Sequence, residues 1–238
     1  MDQNFKYDLL TDEITERFFE AAHKENAEQE GRTYLGASII GHPCLRRLYY
    51  SWTAGSVPVE GRVALIFKVG HALEDLVINT LRNAGYVCEE PQKGFSDFDG
   101  RFKGHVDSII KNLVQTEDGK FHDAILEVKT ANDRKFKLFQ KNTVVKTDAN
   151  YKAQAHVYMH YFKKRYCLFA VINKNNCQIY FEVVEYDEEV AQEMRQKAQF
   201  IFNAKSEPPI PEGFNQDCFE CMYCSYNTAC YGQKDLPF

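Results

Sequence analysis

Gly104-His105-Val106-Asp107 and Leu126-Glu127-Val128-Lys129 are the stretches whose reading decides the fold. Ile109 and Ile110 follow the first, and Ala124, Ile125 and Leu126 lead into the second. Asp118-Gly119 between them is a hairpin signal. The pattern predicts two adjacent strands. Glu127 and Lys129 then share one strand face, while Val128 points the other way into the core. Strand pairing brings Asp107 alongside. Two carboxylates and a lysine meeting on a sheet need a cation, solvent or a partner, because burying unpaired charge is costly. A divalent metal on the carboxylates is the simplest expectation. It leaves Lys129 to face a substrate anion or a water.

A chain of 238 residues can bury one sizeable core. Its 44% hydrophobic and 26% charged content suit a soluble globular protein. No apolar run approaches the length of a membrane span, and the polar, acidic first residues do not resemble a secretory signal. A cytoplasmic location is therefore expected. The formal charge of -5 argues against non-specific, charge-driven binding to nucleic acid. It does not exclude a nuclease, because local basic clusters matter more than the total. Lys163-Lys164-Arg165 is one such cluster, and Arg134, Lys135, Lys137, Lys141 and Lys146 form a longer stretch.

Cys218, Cys221, Cys224 and Cys230 fall within thirteen residues of a tail with no obvious core of its own. With no secretion signal, ligation is expected there rather than disulfides. The spacing leaves two alternatives open. Four tail cysteines can hold zinc in a closed tetrahedron; three of them with Cys44 can hold an iron–sulfur cluster.

Along the chain, residues 11–29 read as a helix with an apolar stripe at Ile14, Phe18 and Ala22. Pro43 opens another, placing Cys44, Arg46 and Arg47 near its start. Residues 51–62 read as a loop and 68–82 as a helix. His71 and Glu74 are neighbours on that helix. They either add to the metal site or bond each other locally. Residues 91–103 read as turns. A helix at 149–163 puts Tyr151, Gln154 and Tyr158 on one face. Gln154 there can bond a nucleotide, a metal-bound water or a catalytic side chain. Tyr166–Ile172 and Gln178–Val184 read as a hairpin. Residues 187–203 read as a helix with acidic first turns.

Taken together, these motifs resemble the PD-(D/E)XK nuclease superfamily, in its RecB-type branch with an iron–sulfur cluster. That branch includes the CRISPR-adaptation iron–sulfur exonucleases and related phage proteins. The resemblance covers about Ser38 to Cys230. It rests on the segment around Cys44, on Gly70-His71 through Glu74, and on Gly104 through Asp107. Glu127-Val128-Lys129, Gln154 through Tyr158, and Cys221, Cys224 and Cys230 complete it. It implies an α/β (α+β mixed) fold with a restriction-endonuclease-like core: a central mixed sheet flanked by helices, with the C-terminal cysteine cluster docked to the N-terminal part. The implied organisation is a helical extension over 1–37 and one nuclease domain over 38–230, including the iron–sulfur segment 218–230. Cys44, Cys221, Cys224 and Cys230 are the implied ligands of a 4Fe-4S cluster. His71, Glu74, Asp107, Glu127 and the Val128 carbonyl are the implied ligands of Mg2+ or Mn2+. Lys129 orients the attacking water or meets charge on the phosphate, and Gln154 and Tyr158 position the lysine or the strand.

The implied activity is metal-dependent hydrolysis of DNA phosphodiester bonds, expected to be exonucleolytic, in phage or bacterial recombination, repair or processing. The products would carry 5′-phosphate and 3′-hydroxyl ends. Single-stranded DNA or duplex ends are the expected substrate. A helicase, a recombinase, a CRISPR-adaptation protein or a second copy of the chain is the expected partner, and no membrane is. The competing alternative is a non-catalytic DNA-binding or complex-forming module with a structural iron–sulfur or zinc site.

Overall fold

The computed structural model describes residues 3–29, 31–55 and 57–232, with side chains from Tyr7 onward. The chain begins with helix α1 (Gln3–Ala27) and the short strand β1 (Leu35–Gly36), followed by a 3-10 turn, Ala37–Ile39. Helices α2 (Leu45–Thr53) and α3 (Gly61–Asn83) lead to strands β2 (Cys88–Glu89), β3 (Gly94–Asp97), β4 (Phe102–His105), β5 (Ser108–Gln115) and β6 (Phe121–Ala131). Three helices follow: α4 (Asp133–Asn142), α5 (Val144–Thr147) and α6 (Ala149–Phe162). Strands β7 (Tyr166–Asn173) and β8 (Ile179–Glu185) precede α7 (Glu188–Asn203), α8 (Phe219–Met222) and α9 (Asn227–Tyr231).

The central sheet has the order β2-β5-β6-β7-β8. Its β6–β7 pair is parallel and its other pairs are antiparallel. The architecture is a mixed α/β fold with a central sheet flanked by helices. β7 is buried along its whole length, as its unbroken apolar run requires of a strand covered on both faces. On one face, Ile109, Ile125, Phe169 and Val171 pack with Ala153 and Val157 of α6 and with Met194, Ala198 and Ile201 of α7. On the other, Val77 and Ile78 of α3 cover Ile110, Leu126, Val128, Leu168 and Ala170. Side-chain caps set the helix starts. Asp148 accepts from the N–H groups of Asn150 and Tyr151 at α6, and Asp187 from Glu189 and Val190 at α7. No helix among the described residues is long and apolar enough to cross a membrane.

The structure departs from the sequence-based expectation at α3, which begins at Gly61 inside the expected loop, and in three further places. Gly104-His105-Val106-Asp107 is not a strand paired to the one carrying Glu127. Its first half belongs to β4, in a separate three-stranded sheet of order β1-β4-β3. Val106 and Asp107 carry the chain from that sheet into β5, whose Ser108 pairs with Leu126. Asp107 still arrives beside Glu127, through this crossing. Second, residues 91–103 hold β3 and β4 rather than turns alone. Positive φ at Phe98, Asp99 and Gly100 concentrates the reversal between the strands. Third, α1 begins well before residue 11, and Ile14 and Phe18 are 57% and 59% exposed. Only Ala22 of the expected stripe is buried, because α1 packs chiefly on α3 and on Val59 just before it, which together cover a narrow face.

Gly104 is where β4 closes on α6, on the 3-10 turn and on β3. A Cβ there would lie 2.6 Å from Cε1 of Tyr158 and 2.9 Å from both the Ala37 Cβ and Cε1 of Phe95. Gly104→Ala is expected to lower stability by about 1–3 kcal/mol through overpacking, read as a lower urea midpoint. An unchanged midpoint would show that α6 and the 3-10 turn move away from β4 without cost.

Candidate active site

β6 alternates across the sheet, so Glu127 and Lys129 face α6 while Val128 lies in the core beneath α3. Glu127 has 0% exposure. Lys129 Nζ donates to Glu127 Oε2 at 2.8 Å and to Gln154 Oε1 at 3.0 Å. Gln154 Nε2 in turn donates to the Tyr158 hydroxyl at 3.1 Å. The lysine, glutamine and tyrosine therefore form one chain of hydrogen bonds that fixes the ammonium. Asp107 enters from the sheet crossing, and its Oδ2 accepts the Val128 N–H at 2.6 Å. Glu74, on α3, accepts from Gln92 Nε2 at 2.6 Å. The alternative of a local His71–Glu74 bond is not realised. His71 is exposed on the same helix and acts on Asp107 as a favourable charge.

The electrostatics follow from burial. Desolvation raises Asp107, opposed by Lys129 and by the Val128 N–H. Glu127 is pushed up to about 8, first by desolvation and then by repulsion from Asp107, with Lys129 opposing. Glu74 is pushed up to about 7 by burial and by Asp107. Lys129 is raised, since Glu127 and Asp107 outweigh its desolvation. One buried polar atom stands out: Glu127 Oε1 has no hydrogen-bond partner. The site thus holds a fixed ammonium beside a carboxylate with one oxygen uncommitted.

Of the residues singled out in the sequence, Asp107, Glu127, Lys129, Gln154, Tyr158, Val128 and Glu74 gather here, with His71 at the edge. Gln92 was not among them. It lies in a loop that carries no motif and no sequence signal; the structure holds Glu90 and Gln92 there at φ of 52° and 56°.

The expected cofactors are corrected. Among the described residues, no group of three or more His, Cys, Asp or Glu side chains is arranged to hold a metal ion. This overturns the 4Fe-4S cluster on Cys44, Cys221, Cys224 and Cys230, its zinc alternative, and the Mg2+ or Mn2+ ion among the carboxylates. The reasons are visible in the bonding. Cys44 Sγ accepts the Arg47 N–H at 3.4 Å as the cap of α2. Cys221 Sγ contacts the Tyr231 hydroxyl at 3.7 Å. With Cys224 and Cys230 these thiols line a shared cavity that also takes in Arg47, Glu220 and Tyr226. At the carboxylates, Asp107 Oδ2, Glu127 Oε2 and Glu74 Oε1 are each committed to an N–H donor.

No protein-family model matches the chain, and no curated protein does. Solved structures do. SSO0001 aligns with a TM-score of 0.57 at 17% identity, covering 92% of this chain and 96% of its own. LHK-Exo, crystallised with dAMP, aligns with a TM-score of 0.52 at 15% identity, covering 79% of this chain and 90% of its own. LHK-Exo is an alkaline exonuclease from Laribacter hongkongensis. The fold is shared with a known exonuclease. At these identities the likeness is one of architecture.

The raised Glu127 carboxyl makes folding pH-dependent. A folded-state value near 8 against an ordinary 4.5 means the native state holds this proton more tightly than the unfolded chain. Its contribution is therefore full below about 4.5 and is lost as pH rises towards 8. Glu127→Gln keeps the shape without the charge. Its melting temperature relative to the wild type is expected to climb steadily across that window. A constant difference would mean that Glu127 stays ionised throughout.

Proposed function

We propose that this chain hydrolyses phosphodiester bonds in DNA, acting at strand ends as an exonuclease in phage or bacterial DNA processing. The observation that carries this is the Lys129 ammonium, held between buried Glu127 and Gln154 and set in an architecture that LHK-Exo also has. A fixed cation in a site of low dielectric is suited to a phosphate, whose oxygens gain negative charge as the bond to phosphorus is attacked.

In this mechanism Glu127 Oε1, which has no hydrogen-bond partner, takes a proton from a water admitted beside Lys129 when the strand binds. The water oxygen bonds to phosphorus as the bond to the leaving sugar oxygen breaks, and that oxygen takes its proton from solvent. Lys129 lies against the non-bridging oxygens throughout. Gln154, braced by Tyr158, keeps the ammonium aimed. Asp107 ties the sheet crossing to the Val128 backbone and, by repulsion, helps hold Glu127 near the pH at which a general base works best. Glu74 and Gln92 close the site from the α3 side.

End-labelled single-stranded and duplex DNA tests this, with and without a chelator. Lys129→Ala is expected to lower kcat by about 100-fold or more while costing DNA binding no more than one phosphate contact. Wild-type activity should rise as pH passes about 8 and Glu127 loses its proton. Undiminished turnover in Lys129→Ala, or no cleavage by the wild type under any ionic condition, would overturn the assignment.

A further inference from the structure

The basic stretch after β6 does not act as one surface. Lys137 reaches back to Asp133 and is 71% exposed, and Arg134, Lys141 and Lys146 face solvent. Lys135 is different. Its Nζ lies 4.7 Å from the centroid of the Tyr151 ring, and the Nζ of Lys129 lies 4.9 Å from the same centroid. Two ammonium groups thus share one aromatic ring at the edge of the site. The ring is itself held by the core, with Phe139 and Phe169 at 6.1 and 6.3 Å. An aromatic face attracts each cation, but the cations repel each other. A polyanion spanning them removes that repulsion.

Asp148 is the partner of the second cation within the chain. Its Oδ2 accepts from Lys135 Nζ at 2.9 Å, while its Oδ1 caps α6 through the N–H groups of Asn150 and Tyr151. One of the three ammonium donors is used by this ion pair. The Lys135 side chain is 40% exposed, so the remaining donors can reach a ligand in solvent.

We propose that Lys135 is a second DNA-phosphate contact, binding the phosphate next to the one that reacts at Lys129, with Tyr151 as the positioning residue that spaces the two ammonium groups. It rests on the nuclease assignment above and extends it to how the strand is held. The ligand class is a single polynucleotide strand with neighbouring phosphodiesters. A mononucleotide would engage only one of the two cations.

The test is binding of a fluorescent single-stranded oligonucleotide over a salt series, in the Glu127→Gln background so that the strand is not consumed. Losing one phosphate contact should reduce the slope of log affinity against log salt by about 0.7. Lys135→Gln is expected to give that loss and Lys135→Arg to restore the slope. Asp148→Asn, which removes the ion pair but keeps a capping oxygen, should leave the slope unchanged. Tyr151→Phe should behave as the parent, and Tyr151→Leu should lose slope as Lys135→Gln does. In the cleaving enzyme Lys135→Gln should raise KM more than it lowers kcat. An unchanged slope in Lys135→Gln, or an equal loss in Asp148→Asn, overturns the Lys135 contact and leaves the nuclease assignment standing. Failure of the Glu127→Gln protein to bind DNA at all overturns both.

Discussion

Glu127 is sealed from solvent, and the ammonium of Lys129 is 2.8 Å from its Oε2. Neither polar group would be tolerable there without a hydrogen-bond partner. Much of the surrounding structure is arranged to keep the two together. Parallel pairing with β7 holds β6 straight through this segment, with Glu127 opposite Phe169 and Lys129 opposite Val171. The buried face of α6 supplies Gln154 to the ammonium and Tyr158 to Gln154. The Asp107 side chain bonds the backbone at Val128, the residue between Glu127 and Lys129, and so pins the strand from its other neighbour. The small sheet exists to deliver that aspartate, and Gly104 lacks a side chain because Tyr158 occupies the space.

Much of this was legible in the sequence because it depends on local periodicity. Alternation placed Glu127 and Lys129 on one face and Val128 on the other. Helical spacing put Gln154 and Tyr158 together. The β7–β8 hairpin was marked by its apolar runs and the asparagine-rich turn. What was not legible depends on contacts between distant segments. Nothing near Gly104 announces that the strand containing it joins β1 and β3 while the next residues cross to another sheet. Nothing in Glu90-Pro91-Gln92 announces that Gln92 will bond a glutamate on α3. The exposure of Ile14 and Phe18 was hidden for the same reason, since periodicity describes a helix and says nothing of how many neighbours it has.

The cysteines teach the complementary lesson. Their spacing invited a ligand set, and spacing alone says nothing about where each sulfur spends its contacts. The Cys44 sulfur terminates a helix and the Cys221 sulfur meets a tyrosine hydroxyl. The tail is tied down by ordinary polar contacts instead. Arg46 Nε donates to the Pro208 carbonyl at 2.6 Å, and the Tyr226 hydroxyl donates to the Gly55 carbonyl at 2.8 Å.

The parallel pairing of β6 with β7 has a consequence for how the molecule comes into being. Antiparallel neighbours can zip outward from a tight turn, but parallel neighbours must wait for a long excursion of chain to return. Here that excursion is α4, α5 and α6, and it carries Lys135, Tyr151, Gln154 and Tyr158. The reactive centre therefore has no early precursor. A newly made chain that has folded only its first six strands owns the carboxylates and the lysine but lacks the Gln154 and Tyr158 that steady the ammonium, and competence arrives when the seventh strand docks.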